Sequence, residues 1–191
     1  MNQRNLLEVD WSKIPVPVDD GGAAHLVGMT IPPVSLRATD DTMVMLSALS
    51  GRSVVFGYPR TGEPGKIALV DDWDMIPGAR GCTPQTCAFR DLFAELKAAG
   101  ASHVFGLSTQ DNAYQTEMAS RLHLPFPVLS DEKLELTSAL RLPTMDAAGL
   151  TLIKRLTLII DDARITHVFY PVFPPDQNAS EVLAWLKDNP V

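Results

Sequence analysis

Hydrophobic positions along this chain follow two rhythms that alternate with each other. Val54-Val55-Phe56-Gly57-Tyr58 is a short apolar run stopped by Pro59, the pattern of a central strand buried on both faces. His103-Val104-Phe105-Gly106-Leu107-Ser108 predicts a second such strand, and Phe126-Pro127-Val128-Leu129 a brief third. Between the first two, Leu92, Phe93, Leu96 and Ala99 recur at helical spacing, predicting a helix over 84–99 that Gly100 ends. Further helices are predicted over 112–123, 131–140 and 179–187, the last with Val182, Leu183 and Leu186 facing inward. Two hairpins frame this alternation. In the first, Val34-Ser35-Leu36 and Met43-Val44-Met45-Leu46 flank Asp40-Asp41. In the second, Leu156-Thr157-Leu158-Ile159-Ile160 and Ile165-Thr166-His167-Val168-Phe169 bracket Asp161-Asp162-Ala163.

Strands alternating with helices and closed by an antiparallel hairpin predict the α/β class, with a mixed central sheet and helices on both faces. In such sheets, sites gather where strands end and the following helices begin. Two segments lack either rhythm. Residues 1–30, with Pro15, Pro17 and Asp19-Asp20-Gly21-Gly22, read as an extended arm over the core. Residues 62–80, carrying Gly62, Pro64, Gly65, Pro77 and Gly78, form a long connection of the length that often serves function.

At 191 residues the chain reads as a single domain spanning 1–191, long enough to bury a sizeable core. Hydrophobic residues make up 46% and charged residues 20%, as in soluble globular proteins. A net charge of −7 without a basic stripe argues against nucleic acid, whose phosphates need clustered lysine and arginine. Residues 1–8 contain no apolar signal-peptide core, and no stretch approaches the roughly 18 apolar residues that span a bilayer. A cytoplasmic protein without membrane contact is the expectation.

The chemistry concentrates on the 2 cysteines. Cys82 and Cys87 lie in the run Gly81-Cys82-Thr83-Pro84-Gln85-Thr86-Cys87-Ala88-Phe89-Arg90-Asp91, at the head of the predicted helix. Thr83 followed by Pro84 reads as an N-cap with proline at the first helical position. That places Cys82 beside the positive end of the helix dipole and Cys87 about one turn inside it. A thiol attacks as its thiolate, and a helix N-terminus stabilises that anion, so the setting favours a nucleophilic thiol with a resolving partner. In an ideal helix their Cα atoms would lie roughly 8.6 Å apart, beyond the ~7 Å reach of a disulfide. Pairing them therefore requires the first turns of the helix to unwind.

Other chemistries find little support. His25, His103, His123 and His167 show no paired metal spacing. Around Gly65-Lys66 a phosphate loop would need a glycine where Arg60 stands and a hydroxyl residue where Ile67 stands. No Gly-x-Ser-x-Gly elbow is present. Gln85 and Arg90 read as helix-face residues, and Tyr58 and Phe89 as core or pocket wall.

The stretches from Val54 to Pro59 and from Gly81 to Asp91 resemble the peroxiredoxins of the AhpC/TSA group. So do Val104-Phe105-Gly106-Leu107-Ser108-Thr109, Leu124-Pro125-Phe126-Pro127-Val128-Leu129-Ser130-Asp131 and Arg155-Leu156-Thr157-Leu158-Ile159-Ile160-Asp161. The resemblance is greatest to the Q-like (bacterioferritin comigratory protein) subfamily, whose resolving cysteine stands at this same spacing, and it covers roughly residues 26–188. It implies a thioredoxin-like fold with an N-terminal hairpin, and a thiol peroxidase acting on hydrogen peroxide or organic hydroperoxides. Cys82 matches the peroxidatic position, Cys87 the resolving one, and Arg155 the arginine that holds peroxide and thiolate. Pro59 matches the proline opening the family's Pro-x-x-x-Thr-x-x-Cys motif. The motif's threonine falls on Ala79, and the loop from Pro59 to Cys82 is far longer than the motif, an insertion over 62–80. Thr61 is the candidate to supply the missing hydroxyl.

The resemblance further implies a sulfenic acid on Cys82, resolved by Cys87 as an intramolecular disulfide. Thioredoxin or a similar dithiol protein would recycle it, without a cofactor or metal, in a monomer or homodimer. Two alternatives stand beside this reading. One is a thiol–disulfide oxidoreductase acting on proteins, disfavoured by the lack of Cys-x-x-Cys. The other is a non-enzymatic redox sensor or holdase.

Overall fold

Runs of β-branched and aromatic residues assemble a seven-stranded mixed sheet in the computed structural model, which describes residues 9–191. The reading of residues 1–8 as lacking a signal-peptide core lies outside the described residues. In chain order the sheet comprises β1 (Ser35–Ala38), β2 (Met43–Met45), β3 (Arg52–Gly57), β4 (His103–Ser108), β5 (Val128–Ser130), β8 (Leu156–Asp161) and β9 (Arg164–Phe169). Their spatial order is β2-β1-β5-β4-β3-β8-β9. The pairings β3–β4 and β4–β5 are parallel, and the others are antiparallel. All of β3 is buried: Val54, Val55 and Phe56 are its apolar run, and Arg52 at its start is paired with Asp161.

Helices cover both faces. On one, α1 (Cys82–Asp91), α2 (Phe93–Ala98), α3 (Asn112–Arg121) and α5 (Asn178–Asp188) pack Phe89, Leu96, Met118 and Val182 against Val54, Phe56 and Val104. On the other, α4 (Glu135–Leu140) and the N-terminal segment bring Leu136, Leu140 and Leu26 against Val55, Leu107 and Leu158. The alternation Val54 one way, Val55 the other, Phe56 back again is the period of two that divides the core into two layers. This is the thioredoxin-like architecture, with the β1–β2 hairpin near the N-terminus. No helix among the described residues is long and apolar enough to cross a membrane.

Several elements differ from the sequence expectation. The helix over 84–99 is broken at Leu92 (φ −100°, ψ 11°), which redirects the chain so that Phe89 and Leu96 both reach full burial. The helix over 131–140 begins only at Glu135. Ahead of it, the Asp131 carboxylate accepts from the Leu136 and Thr137 amides at 3.1 and 2.7 Å, holding residues 131–134 in a turn. A second, separate hairpin of β6 (Thr144–Ala147) and β7 (Leu150–Ile153) follows, which the hydrophobic pattern did not predict. Its two-residue turn, Ala148-Gly149, has φ of 50° and 75°, matching the right-handed twist of its strands.

Helix α1 also starts earlier than expected. Its N-cap is Gly81 and its first residue Cys82, so Thr83 and Pro84 lie inside the first turn. Gly81 holds φ at +104°, a conformation that suits glycine. Trp11, in a short 3-10 turn of the N-terminal segment, lies directly over it and donates from Nε1 to Asp176 Oδ2 at 2.9 Å. A Cβ at position 81 would stand 2.7 Å from Trp11 Cη2 and 2.8 Å from Pro175 Cγ. Backbone strain of about 1–3 kcal/mol would add to overpacking of similar size. Gly81→Ala is therefore expected to lower stability by about 3 kcal/mol, read as a lower urea midpoint at unchanged m value.

Candidate active site

The sequence delivers two reactive groups to one place by two routes. Residues 62–80 end at Gly81, where α1 begins, and the β6–β7 hairpin ends just before Arg155, where β8 begins. Trp73 and Ala79 of the first segment pack with Ala147 and Leu152 of the second in their own apolar cluster. The long connection is therefore a folded lobe docked on the hairpin.

Cys82 is 2% exposed, and its thiol donates to the Ala79 carbonyl at 3.5 Å. Arg155, 3% exposed, donates from Nη2 to Cys82 Sγ at 3.2 Å. The same nitrogen faces the carbonyl oxygens of Gly78, Ala79 and Arg80 at 3.2, 3.4 and 3.1 Å. Because Nη2 carries only two hydrogens, it divides them between the sulfur and these carbonyls. Nη1 donates to Gln85 Oε1. Gln85 Nε2 donates in turn to Asn178 Oδ1 at 2.9 Å, which also accepts from Thr157 Oγ1 at 2.7 Å. Gln85, Thr157 and Asn178 are fully buried. The Cys82 sulfur thus faces both the guanidinium, at 3.2 Å, and the start of α1.

A pocket of about 340 Å³ opens at Cys82 and is walled by the lobe. Thr61 lines it, with its amide and hydroxyl both donating to Gln110 Oε1, at 2.9 and 3.1 Å. That leaves the hydroxyl's lone pairs to accept from a ligand. Pro59 is buried just outside the lining, where it turns the chain from β3 towards Thr61. Tyr58 packs in the same core layer as Cys82, and burial raises its phenol well above the ordinary value, so it stays neutral. Arg80 also borders the pocket, with burial pushing its guanidinium down and the Cys82 charge pulling it up.

Cys87 sits apart from this cluster. It is a half-buried free thiol, raised above its usual value by burial, with Arg90 partly offsetting the effect. Cys82 is also free, and α1 runs unbroken through both. Of the residues singled out from the sequence, the fold thus brings Cys82 and Thr61 to one pocket, with Arg155 bonded to the Cys82 sulfur from outside its lining. Pro59 supports its edge, and Cys87 lies further along the helix.

The buried relay through Gln85, Asn178 and Thr157 was not foreseen, although part of its signal is present. Cys82 and Gln85 stand three apart on a helix, and Arg155 and Thr157 two apart along an extended segment, so each pair shares a face. Reading Gln85 as a mere helix-face residue misses that this face is the inner one. Asn178 carries no local signal, because its partners are distant in sequence.

The redoxin family matches over residues 26–184. The chloroplastic peroxiredoxin Q of Sedum lineare is 32% identical over 162 residues, covering 84% of this chain and 77% of that protein. The peroxiredoxin Q of Oryza sativa subsp. japonica is 33% identical over 162 residues, and the match spans 66% of its length. Among solved structures, the peroxidoxin BcpB of Mycobacterium tuberculosis aligns at TM-score 0.67 and 28% identity, covering 86% of this chain and 98% of that one. A peroxiredoxin Q variant of Xylella fastidiosa aligns at TM-score 0.67 and 22% identity, over 85% of this chain and 95% of its own. The chain belongs to the redoxin family and, within it, to the Q-like peroxiredoxins.

Removing the Asn178 side chain strands the donors of Gln85 and Thr157 in the core, which costs about 1–3 kcal/mol for an unsatisfied buried group. Asn178→Ala is expected to lose stability of that order. Because Gln85 orients Arg155, the variant should also alkylate more slowly at Cys82 near neutral pH. Stability loss with unchanged Cys82 alkylation would show that the relay is structural only.

Proposed function

We propose that this chain is a thiol-dependent peroxidase in which Cys82 attacks the peroxide and Cys87 resolves the product. The observation that carries this reading is the Arg155 Nη2 donor 3.2 Å from a buried Cys82 Sγ that borders a substrate-sized pocket. Membership of the Q-like peroxiredoxins supports it.

In the proposed reaction the Cys82 thiolate attacks one peroxide oxygen in line with the O–O bond. That bond breaks as the S–O bond forms. The departing oxygen takes up a proton and leaves as water or an alcohol, and Cys82 becomes a sulfenic acid. Negative charge moves from sulfur to the leaving oxygen, so fixed donors facing both atoms stabilise the transition state. Removal of one such donor typically costs about 2.7–4 kcal/mol. In this reading Arg155 acts at the sulfur, which its 3.2 Å contact supports, and the Thr61 hydroxyl accepts the peroxide's O–H. The Cys87 thiol then condenses with the sulfenic acid, expelling water as the disulfide forms. A dithiol protein such as thioredoxin reduces it by exchange.

The continuous α1 sets a condition on the second step. With both cysteines on one helix at a spacing of roughly 8.6 Å between Cα atoms, the disulfide cannot close until the first turns open. Opening would also relieve the burial that raises the Cys87 thiol above its ordinary value.

Wild-type protein should consume peroxide continuously with thioredoxin and its reductase, and Cys82→Ser should not. Cys87→Ser should react about once per chain and then stall, as expected when resolution is lost. Turnover retained by Cys82→Ser would sink the reading. Separately, amide hydrogen exchange over residues 82–88 should be protected in the reduced protein and fast in the disulfide form. Equal protection in both states, with the disulfide verified by mass, would refute the unwinding step.

A further inference from the structure

The pocket is far larger than hydrogen peroxide requires. A water molecule occupies roughly 30 Å³ of liquid. A pocket of about 340 Å³ falls instead in the range that holds organic ligands. Its walls combine apolar surface from Leu69 and Trp73 with cations from Arg60, Lys66 and Arg80, and among the described residues no carboxylate lines it. Two of these cations have carboxylate partners beside them: Lys66 pairs with Glu63, and Arg80 lies 3.7 Å from Asp74. Arg60 differs. Its guanidinium carbon lies 4.7 Å above the Tyr114 ring, and among the described residues no carboxylate pairs with it. Tyr114 is itself fixed by donating to the Thr61 carbonyl at 3.0 Å, so Arg60 is held at the pocket rather than free to swing away.

We propose that the pocket selects organic hydroperoxides that carry a negative charge beside a compact apolar body, and that Arg60 is the residue that reads the charge. This rests on the peroxidase reading and narrows it to a substrate class. An apolar body seated against Leu69 and Trp73 displaces water from around the Arg60 guanidinium. A carboxylate or similar anion on the substrate replaces that lost hydration with a charge-assisted hydrogen bond, and a neutral substrate leaves it unreplaced. The peroxide end of the same molecule then faces Cys82 and Thr61.

The test uses para-carboxy cumene hydroperoxide and its methyl ester, which differ by one charge at similar size. The rate constant for Cys82 oxidation should favour the acid by about tenfold at low salt, equivalent to about 1.4 kcal/mol. The preference should shrink as ionic strength rises. Arg60→Gln should bring the acid-to-ester ratio close to one, and Arg60→Lys should restore part of it. A wild-type ratio of one or below, or a ratio that survives Arg60→Gln, would overturn the proposal. Binding of the two corresponding alcohols, followed by calorimetry, provides an arm that needs no turnover. Tighter binding of the acid alcohol, lost in Arg60→Gln, supports the charge selection even if no hydroperoxide is consumed. In that event the peroxidase reading falls alone. Equal binding of both alcohols overturns the charge selection whatever the turnover.

Discussion

The guanidinium of Arg155 is the contact on which the arrangement depends. It sits almost without solvent between a helix start, the end of a long loop and the beginning of a strand. Its Nη2 takes the sulfur of Cys82 and the last carbonyls of the lobe, and its Nη1 takes Gln85. A lone cation at such depth would be expensive to desolvate. Here the carbonyl oxygens, the Gln85 amide oxygen and the Cys82 sulfur supply acceptors to Nη1 and Nη2, and only the buried Nε lacks one among the described residues. The bonding works in both directions: the acceptors keep the charge buried, and the charge keeps three chain segments in register.

The same helix that presents Cys82 is strongly held. Phe89 stacks on Phe56 with ring centroids 4.1 Å apart and planes 4° from parallel. Gln85 is bonded at both ends, and Trp11 closes over Gly81. These contacts fall at different distances from the start of α1. Phe89 anchors the interior of the helix, whereas Trp11 and Gly81 secure its first residue. An opening confined to the first turns therefore breaks the cap and the Gln85 bonds and can leave the aromatic stack in place. The proposed chemistry asks for that division: a rigid seat for attack and a local release for resolution.

The sheet was largely legible because its strands report burial directly. The run from Val54 to Tyr58 and the alternation in the two main hairpins translate into β3, β1–β2 and β8–β9 with small shifts at their ends. Helix starts were less legible. Thr83-Pro84 carries a good local capping signal, yet Gly81 starts the helix, because Trp11 and Pro175 pack where a side chain would be. The β6–β7 hairpin escaped because its outer positions are polar or exposed and it finds its cover in the 62–80 lobe, a partner that no local pattern names. Cys82 and Arg155 were found through motif and resemblance. Gln85 and Asn178 were hidden for the opposite reason, since a buried amide looks like a surface one until its distant partners are known.

The lobe over 62–80 has two duties that share one piece of chain. Its Leu69 and Trp73 form a wall of the pocket, and its final carbonyls cradle Arg155. Its apolar cluster joins these ends to the hairpin that leads into Arg155 itself. A change in the wall is therefore transmitted to the arginine over a few residues of packed backbone. Under the proposed function, selectivity and reactivity would then share one piece of chain: what reshapes the mouth of the site would also shift the arginine at its centre.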